Sequence, residues 1–163
     1  MKIAIFTEGT ILMHKNAVGH AREEIIRQIM DEESSVKDYA NYMPIGNAAQ
    51  KIKGWVDQGA EIVYMTSRKN RGEVQDIQDI LERNNFPKGI LEYRKQDEEY
   101  KDMAERIMPD ILIEDDCESI GGENEMTFPR IRPDIKERTK SIVVKEFQGI
   151  NHLPDDINSM LGR

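Results

Sequence analysis

The sequence lacks the features that mark several whole classes of protein. Cys117 is its single cysteine, which excludes an internal disulfide and a zinc site made of cysteines. No uninterrupted apolar run approaches the roughly 20 residues that a membrane helix needs. The N-terminal MKIAIFTEGT has too short an apolar stretch for a secretory signal. We therefore expect a cytoplasmic protein without membrane segments.

Positive charge is also scarce: the chain has 23 Lys and Arg residues and 31 Asp and Glu residues, which gives a net charge of -8. Such a surface field disfavours binding to a polyanion, so a nucleic acid polymer is not the expected partner. With 163 residues, of which 38% are hydrophobic, the chain is long enough to bury a core. We predict one α/β domain over residues 1–163.

What the sequence does contain is an alternation of strand and helix signals. Short apolar, partly β-branched runs predict buried parallel strands at residues 2–6, 61–65, 90–93, 111–113 and 142–144. Helical periodicity lies between them at 47–57, at 73–84 and from Tyr100 to Ile107, with Asn47 as a candidate cap and Gly59 as a candidate end. This order predicts right-handed crossovers and a three-layer Rossmann-like fold, a parallel sheet flanked by helices.

Two segments interrupt this alternation. Residues 14–46 contain an amphipathic stretch around Ile25 and Ile29, which predicts a small helical cap or flap inserted after the first strand. Residues 117–140 are broken by Gly121, Gly122 and two prolines. A stretch of that length without regular structure is typical of a functional or a disordered loop.

Polar residues that could bind a ligand or take part in a reaction follow the predicted strands. Ligands of open α/β sheets bind outside the carboxyl ends of the strands. The polar residues at these ends are Thr7, Glu8, Gly9 and Thr10, then Thr66, Ser67 and Arg68, and finally Glu114, Asp115 and Asp116. Three successive carboxylates repel one another unless a cation relieves them, and oxygen ligands of this kind suit Mg²⁺.

This pattern resembles the haloacid dehalogenase (HAD) superfamily of Mg²⁺-dependent phosphohydrolases, over Met1 to about Ile120. The stretch from Ile5 to Leu12 is similar to the family's first motif, an apolar strand followed by D-x-D-G-T. Thr66 ends a strand as in the second motif, and Lys101 stands where the third-motif lysine is expected. Glu114 and Asp115 match the acidic pair of the fourth motif. The pattern is most similar to small phosphatases and 5'-nucleotidase-like members with a short cap.

The resemblance implies roles for these residues. It implies catalytic roles for Glu8, Thr66 and Lys101, and a Mg²⁺ site at Glu8, Glu114 and Asp115. It implies contacts to a small phosphorylated metabolite or nucleotide from Thr7, Gly9, Thr10, Ser67 and Arg68. Other interpretations stay open: residues 7–10 as an ordinary turn, residues 66–68 as a helix cap, and Lys95 in place of Lys101.

One position departs from the family pattern. The first Asp of motif one, which attacks phosphorus, is replaced by Phe6, and the second is Glu8. Phenylalanine has neither a nucleophilic nor a metal-ligating atom, so the covalent route is closed. Two functions follow from the sequence: a phosphohydrolase that uses Glu8 to activate water, or a non-catalytic pseudoenzyme that binds a phosphorylated ligand or a protein. A flavodoxin-like or receiver-like domain ranks last, because no Asp follows the first strand.

Overall fold

The computed structural model describes residues 1–162 and contains a five-stranded, wholly parallel sheet. Its strands are β1 (Lys2–Phe6), β4 (Glu61–Met65), β5 (Ile90–Glu92), β6 (Ile111–Asp115) and β7 (Lys140–Val144), in the order β5-β4-β1-β6-β7. All five predicted strands are present within three residues of their predicted bounds. In addition, β2 (Leu12–Met13) and β3 (Met43–Pro44) form a small antiparallel pair.

Helices cover both faces of the sheet, as the alternating pattern predicts. They are α1 (Arg22–Met30), α2 (Ala48–Asp57), α3 (Arg71–Arg83), α4 (Tyr100–Ile107), α5 (Pro133–Lys136) and α6 (Ile157–Met160). Apolar residues of α2, α3 and α6 pack on one face, while α4 and α5 pack on the other. The three-layer Rossmann-like fold class is therefore confirmed.

Side chains on β1 show how the sequence builds these layers. Because successive side chains of a strand point to opposite faces, Ile3 and Ile5 join the core that contains Trp55 of α2. Ala4 and Phe6 join the opposite core with Met103 of α4. The strand is apolar on both faces because both of its faces are buried.

Three predictions about helix ends have different outcomes. Asn47 occupies the position before α2, but its side chain makes no capping hydrogen bond; its backbone N–H instead donates to Oδ1 of Asn151 at 3.0 Å. Gly59 does follow the end of α2, with a φ of +95° that glycine adopts without strain. Residues 66–68 do not cap α3, because Asn70 supplies the acceptor for its first N–H groups.

Both interrupted segments have local structure. The insertion between β2 and β3 contains α1 and short 3-10 helices at Lys15–Ala17, Ser34–Lys37 and Tyr39–Asn41. The segment after β6 contains 3-10 helices at Gly122–Glu125 and Phe128–Arg130, followed by α5. Within residues 1–162, no helix combines the length and the hydropathy that crossing a membrane requires.

Candidate ligand site at the carboxyl edge of the sheet

A cavity of about 160 Å³ lies at the carboxyl edge of the sheet. From β1 the chain forms β4 and β5 on one side and then crosses over to form β6 and β7 on the other side of β1. The strand order therefore reverses between β1 and β6. Ligands of open α/β sheets bind at this reversal. Ile29 and Tyr42 of the insertion and Glu125 and Thr127 of the segment after β6 also line the cavity. Both irregular segments therefore contribute to its wall.

The lining combines carboxylates with aromatic rings. Its acidic members are Glu8, Glu114, Asp115, Glu125 and Glu146, and its aromatic members are Phe6, Tyr42, Tyr100 and Phe147. In the described part of the chain, no lysine or arginine lines it. A free phosphate therefore meets a negative wall unless a cation is bound.

Phe6 lies at the end of β1 with only 9% of its surface exposed. Its ring meets the ring of Tyr100 edge to face, with the ring centroids 5.7 Å apart. Such pairs are stabilising beyond the area that they bury. An aromatic pair therefore occupies the position that the sequence resemblance aligns with the family's nucleophile.

Lys101 is not brought into the cavity. Its Nζ lies 3.3 Å from Oε2 of Glu99, and its side chain is 39% exposed. Tyr100, one residue earlier on α4, is the residue that lines the cavity. The alternative residue Lys95 is exposed and does not line the cavity either.

Glu8 is surrounded by hydrogen-bond donors from two strand ends. The Thr7 hydroxyl donates to its Oε2 at 2.6 Å, and the Ser67 N–H donates to the same oxygen at 3.2 Å. The Thr66 hydroxyl donates to Oε1. The structure therefore brings together Glu8, Thr7, Thr66 and Ser67, as the motif resemblance predicts, but it directs the three donors at the protein's own carboxylate.

The two acidic residues at the end of β6, Glu114 and Asp115, have different partners. Both line the cavity, but their carboxylates accept hydrogen bonds from different parts of the chain. Both oxygens of Glu114 accept backbone N–H groups, from Thr127 at 2.7 Å and from Phe128 at 2.9 Å. Burial raises the pKa of Glu114 and the two hydrogen bonds lower it; the effect of burial is larger, so the pKa is raised. Glu114 thus holds the loop after β6.

Asp115 lies instead with Asp116 and Glu146. One oxygen from each of the three carboxylates falls within 4.8 Å of the others, an arrangement that could hold a metal ion. Burial raises the pKa of Asp115 and raises that of Glu146 to about 7. All three offer oxygen ligands, which Mg²⁺ prefers. The donor set fits Mg²⁺, but it differs from the predicted Glu8, Glu114 and Asp115.

Gly9 and Thr10 support Asp115. The Thr10 hydroxyl donates to Oδ2 of Asp115 at 2.9 Å, and Thr10 is fully buried. A side chain at Gly9 would place its Cβ 2.9 Å from the same oxygen. Thr10 therefore orients the carboxylate, whereas Gly9 permits its close approach to the loop after β1.

Arg68 lies beside the cavity and not in its wall. Its Nη2 donates to Oγ of Ser67 at 3.0 Å, its Nη1 donates to the Tyr39 hydroxyl, and its guanidinium stacks 4.5 Å from the centre of the Tyr39 ring. Arg94 stacks likewise on Tyr100 at 4.0 Å and donates to the Ser67 carbonyl at 3.2 Å. Two cations thus flank Ser67.

Sequence reasoning missed Glu146, Tyr100 and Arg94. Glu146 comes two residues after β7, so applying the strand-end rule to the fifth strand would have found it. The facing direction of Tyr100 depends on the rotational phase of α4, which a short helical pattern does not fix.

The comparisons with known proteins concern the fold. No family model matches the chain, and no curated protein matches it. A solved structure with a similar fold is D,D-heptose 1,7-bisphosphate phosphatase from Burkholderia thailandensis. The two share 10% identity and a TM-score of 0.45, over 90% of this chain and 93% of that one. At this identity the likeness is one of overall fold, and no residue role is carried over from it.

Proposed function

We propose that the chain is a non-hydrolytic ligand-binding protein, a pseudoenzyme on a HAD-like phosphatase fold. Its ligand would be a small phosphorylated metabolite or nucleotide, held in the cavity together with Mg²⁺. The observation that carries the proposal is Phe6, which fills the nucleophile's place and packs against Tyr100. The small insertion at residues 14–46 acts as the cap, and the reducing cytoplasm is the expected compartment.

Asp115, Asp116 and Glu146 are the residues that would hold the cation. A divalent cation supplies positive charge that offsets these carboxylates and attracts phosphate oxygens. This explains how a cavity without lining lysines or arginines can accept an anionic ligand. Binding of the phosphorylated ligand is therefore expected to require Mg²⁺.

One observation favours the hydrolytic alternative: Glu8 lines the cavity and is fixed by three donors. In that function Glu8 would activate water. Both functions are tested by Mg²⁺-dependent phosphate release from an aryl phosphate and a panel of nucleoside monophosphates. Turnover by Phe6→Asp but not by wild type would indicate the binding function, whereas turnover by wild type would indicate the hydrolytic one.

We expect no turnover by wild type and Mg²⁺ binding detectable by calorimetry. Asp115→Asn should weaken Mg²⁺ binding by about tenfold or more, since it removes a charged ligand while the amide oxygen can still accept from the Cys117 N–H and the amide NH₂ can donate to the Thr10 hydroxyl. The matched control is Asp134→Asn, an exposed aspartate paired with Arg132. Turnover of wild type at ordinary enzymatic rates, or equal Mg²⁺ binding by both variants, would contradict the proposal.

A further inference from the structure

Glu8 occupies a cluster of donors that has the properties of an anion receptor. Three donors from two adjacent strand ends converge on its carboxylate: the hydroxyls of Thr7 and Thr66 and the N–H of Ser67. Thr7 and Thr66 are fully buried, so their hydroxyls are held in place by packing. Prepositioned hydroxyl and backbone N–H donors of this kind bind carboxylate and phosphate oxygens alike.

The surroundings of these donors strengthen their preference for an anion. The backbone N–H of Arg68 donates to Oγ1 of Thr66 at 3.1 Å, which polarises the hydroxyl that points to Glu8. The guanidinium groups of Arg68 and Arg94 both bond to Ser67, one to its side chain and one to its carbonyl. Two guanidinium groups therefore lie next to this corner of an otherwise acidic cavity.

The length of the Glu8 side chain matters for this contact. The backbone at Glu8 is fixed by its bridge to Leu12, and the Gly9 N–H donates to the Leu12 carbonyl at 2.8 Å. From this fixed position the carboxylate spans from the end of β1 to Thr66 and Ser67 beyond the end of β4. An aspartate there would be shorter by one methylene, about 1.5 Å, and would not reach all three donors in the same way.

We propose that Glu8 is a built-in ligand: its carboxylate fills the receptor formed by Thr7, Thr66 and Ser67 and so keeps free anions out of it. The inference rests on the proposed function in one respect, that this cavity is the ligand site. It adds a rule of specificity. An anion on its own finds the receptor filled, whereas a phosphorylated ligand that arrives with a divalent cation binds on the other side of the cavity, at Asp115 and Glu146.

The test is the binding of inorganic phosphate to metal-free protein in EDTA, measured by calorimetry. Glu8→Ala empties the receptor and should bind phosphate at least about tenfold more tightly than wild type. The matched control is Glu125→Ala, which removes another carboxylate from the cavity wall but frees none of these donors. Glu8→Ala combined with Thr66→Val should lose the gain, because one of the three donors is gone.

Each outcome decides the inference. Equal phosphate binding by wild type and Glu8→Ala would overturn it, and so would an equal gain in Glu125→Ala, which would indicate a general charge effect. If Glu8→Ala does not fold, Glu8→Ser and Glu125→Ser replace the pair, because a serine side chain at position 8 is likewise too short to fill the receptor. Because no metal is present, failure here leaves the Mg²⁺ binding of the proposed function separately testable.

Discussion

At the scale of single residues, Gly9 brings the backbone close to the carboxylates of Asp115 and Glu146. Its φ is +83°, and a Cβ there would lie 2.9 Å from Oδ2 of Asp115 and 3.3 Å from Cγ of Glu146. Gly9→Ala should lower the free energy of unfolding by roughly 2 kcal/mol or more, from backbone strain and from the clash. Urea denaturation measures this loss.

Gly59→Ala is the control for Gly9→Ala. Gly59 has a similar φ of +95°, but a Cβ there meets nothing within 4 Å. Gly59→Ala should therefore lower the free energy of unfolding by the cost of backbone strain alone, about 1 kcal/mol. If both variants lose the same stability, the close packing of Gly9 against the carboxylates contributes nothing measurable.

Single residues also show what the sequence predicts about the site and what it does not. Thr7, Glu8, Thr66 and Ser67 meet because they follow β1 and β4, which are adjacent and in register. Strand order and the strand-end rule are enough to bring them together. The use of Glu114 is not predictable in this way, because its partners are backbone groups of an irregular loop. Their position depends on the folded loop and not on a sequence motif.

At the scale of elements, the first residue of α1 ties the insertion to the acidic strand ends. The Nε of Arg22 donates to the Glu146 carbonyl at 2.8 Å, and its Nη2 pairs with Asp116 at 3.4 Å and with Glu118. The Arg22 side chain is only 14% exposed, so these contacts are less screened than a surface ion pair. Arg22 therefore holds the start of α1 against β6 and β7.

Arg22→Ala should loosen this attachment without unfolding the sheet. We expect amide hydrogen exchange to accelerate about tenfold in residues 22–30, while the amides of β1 and β6 keep their protection. Arg27→Ala is the matched control, since Arg27 lies on the same helix, is 69% exposed and, among residues 1–162, pairs only with Glu24 of α1. Unchanged exchange in α1 of the Arg22→Ala variant would show that packing of Ile25, and not the arginine, docks the helix.

Elements differ in how well the sequence predicts them. The central strands β1, β4 and β6 carry apolar runs because both of their faces are buried, and these runs are visible without a structure. By contrast, β2 and β3 have two residues each and exist because Leu12 and Met13 pair with Pro44 and Met43. Strands that short leave no periodicity to detect, so the sequence predicts an insertion but not the antiparallel pair of strands that flanks it.

At the scale of the whole molecule, five of the 31 acidic residues line the cavity, and several of them are buried. Burial raises the pKa of Glu114 and Asp115, and that of Glu146 rises from 4.5 to about 7. Burial and the nearby carboxylates likewise raise the pKa of Cys117, so its thiol stays protonated at neutral pH and is a poor nucleophile. The site is thus built to carry protons or a cation.

This predicts a stability that falls as the pH rises. Glu146 binds its proton more tightly in the folded protein than in the unfolded chain, so its contribution is full below about pH 4.5 and is lost as the pH rises through about 7. In EDTA, we expect this group to change the free energy of unfolding by up to about 3 kcal/mol across that range. Glu146→Gln should flatten the slope, whereas Glu137→Gln, at an exposed position, should leave it unchanged.

Stabilisation by Mg²⁺ is a second test of Glu146, because a cation and protons compete for the same carboxylates. Denaturation at pH 6 and at pH 8, each with and without Mg²⁺, should show a larger stabilisation by the cation at pH 8, where Glu146 is ionised. In Glu146→Gln the difference between the two pH values should shrink. A stabilisation by Mg²⁺ that is equal at both pH values in wild type would place the cation away from Glu146, and with it the centre of the proposed ligand site.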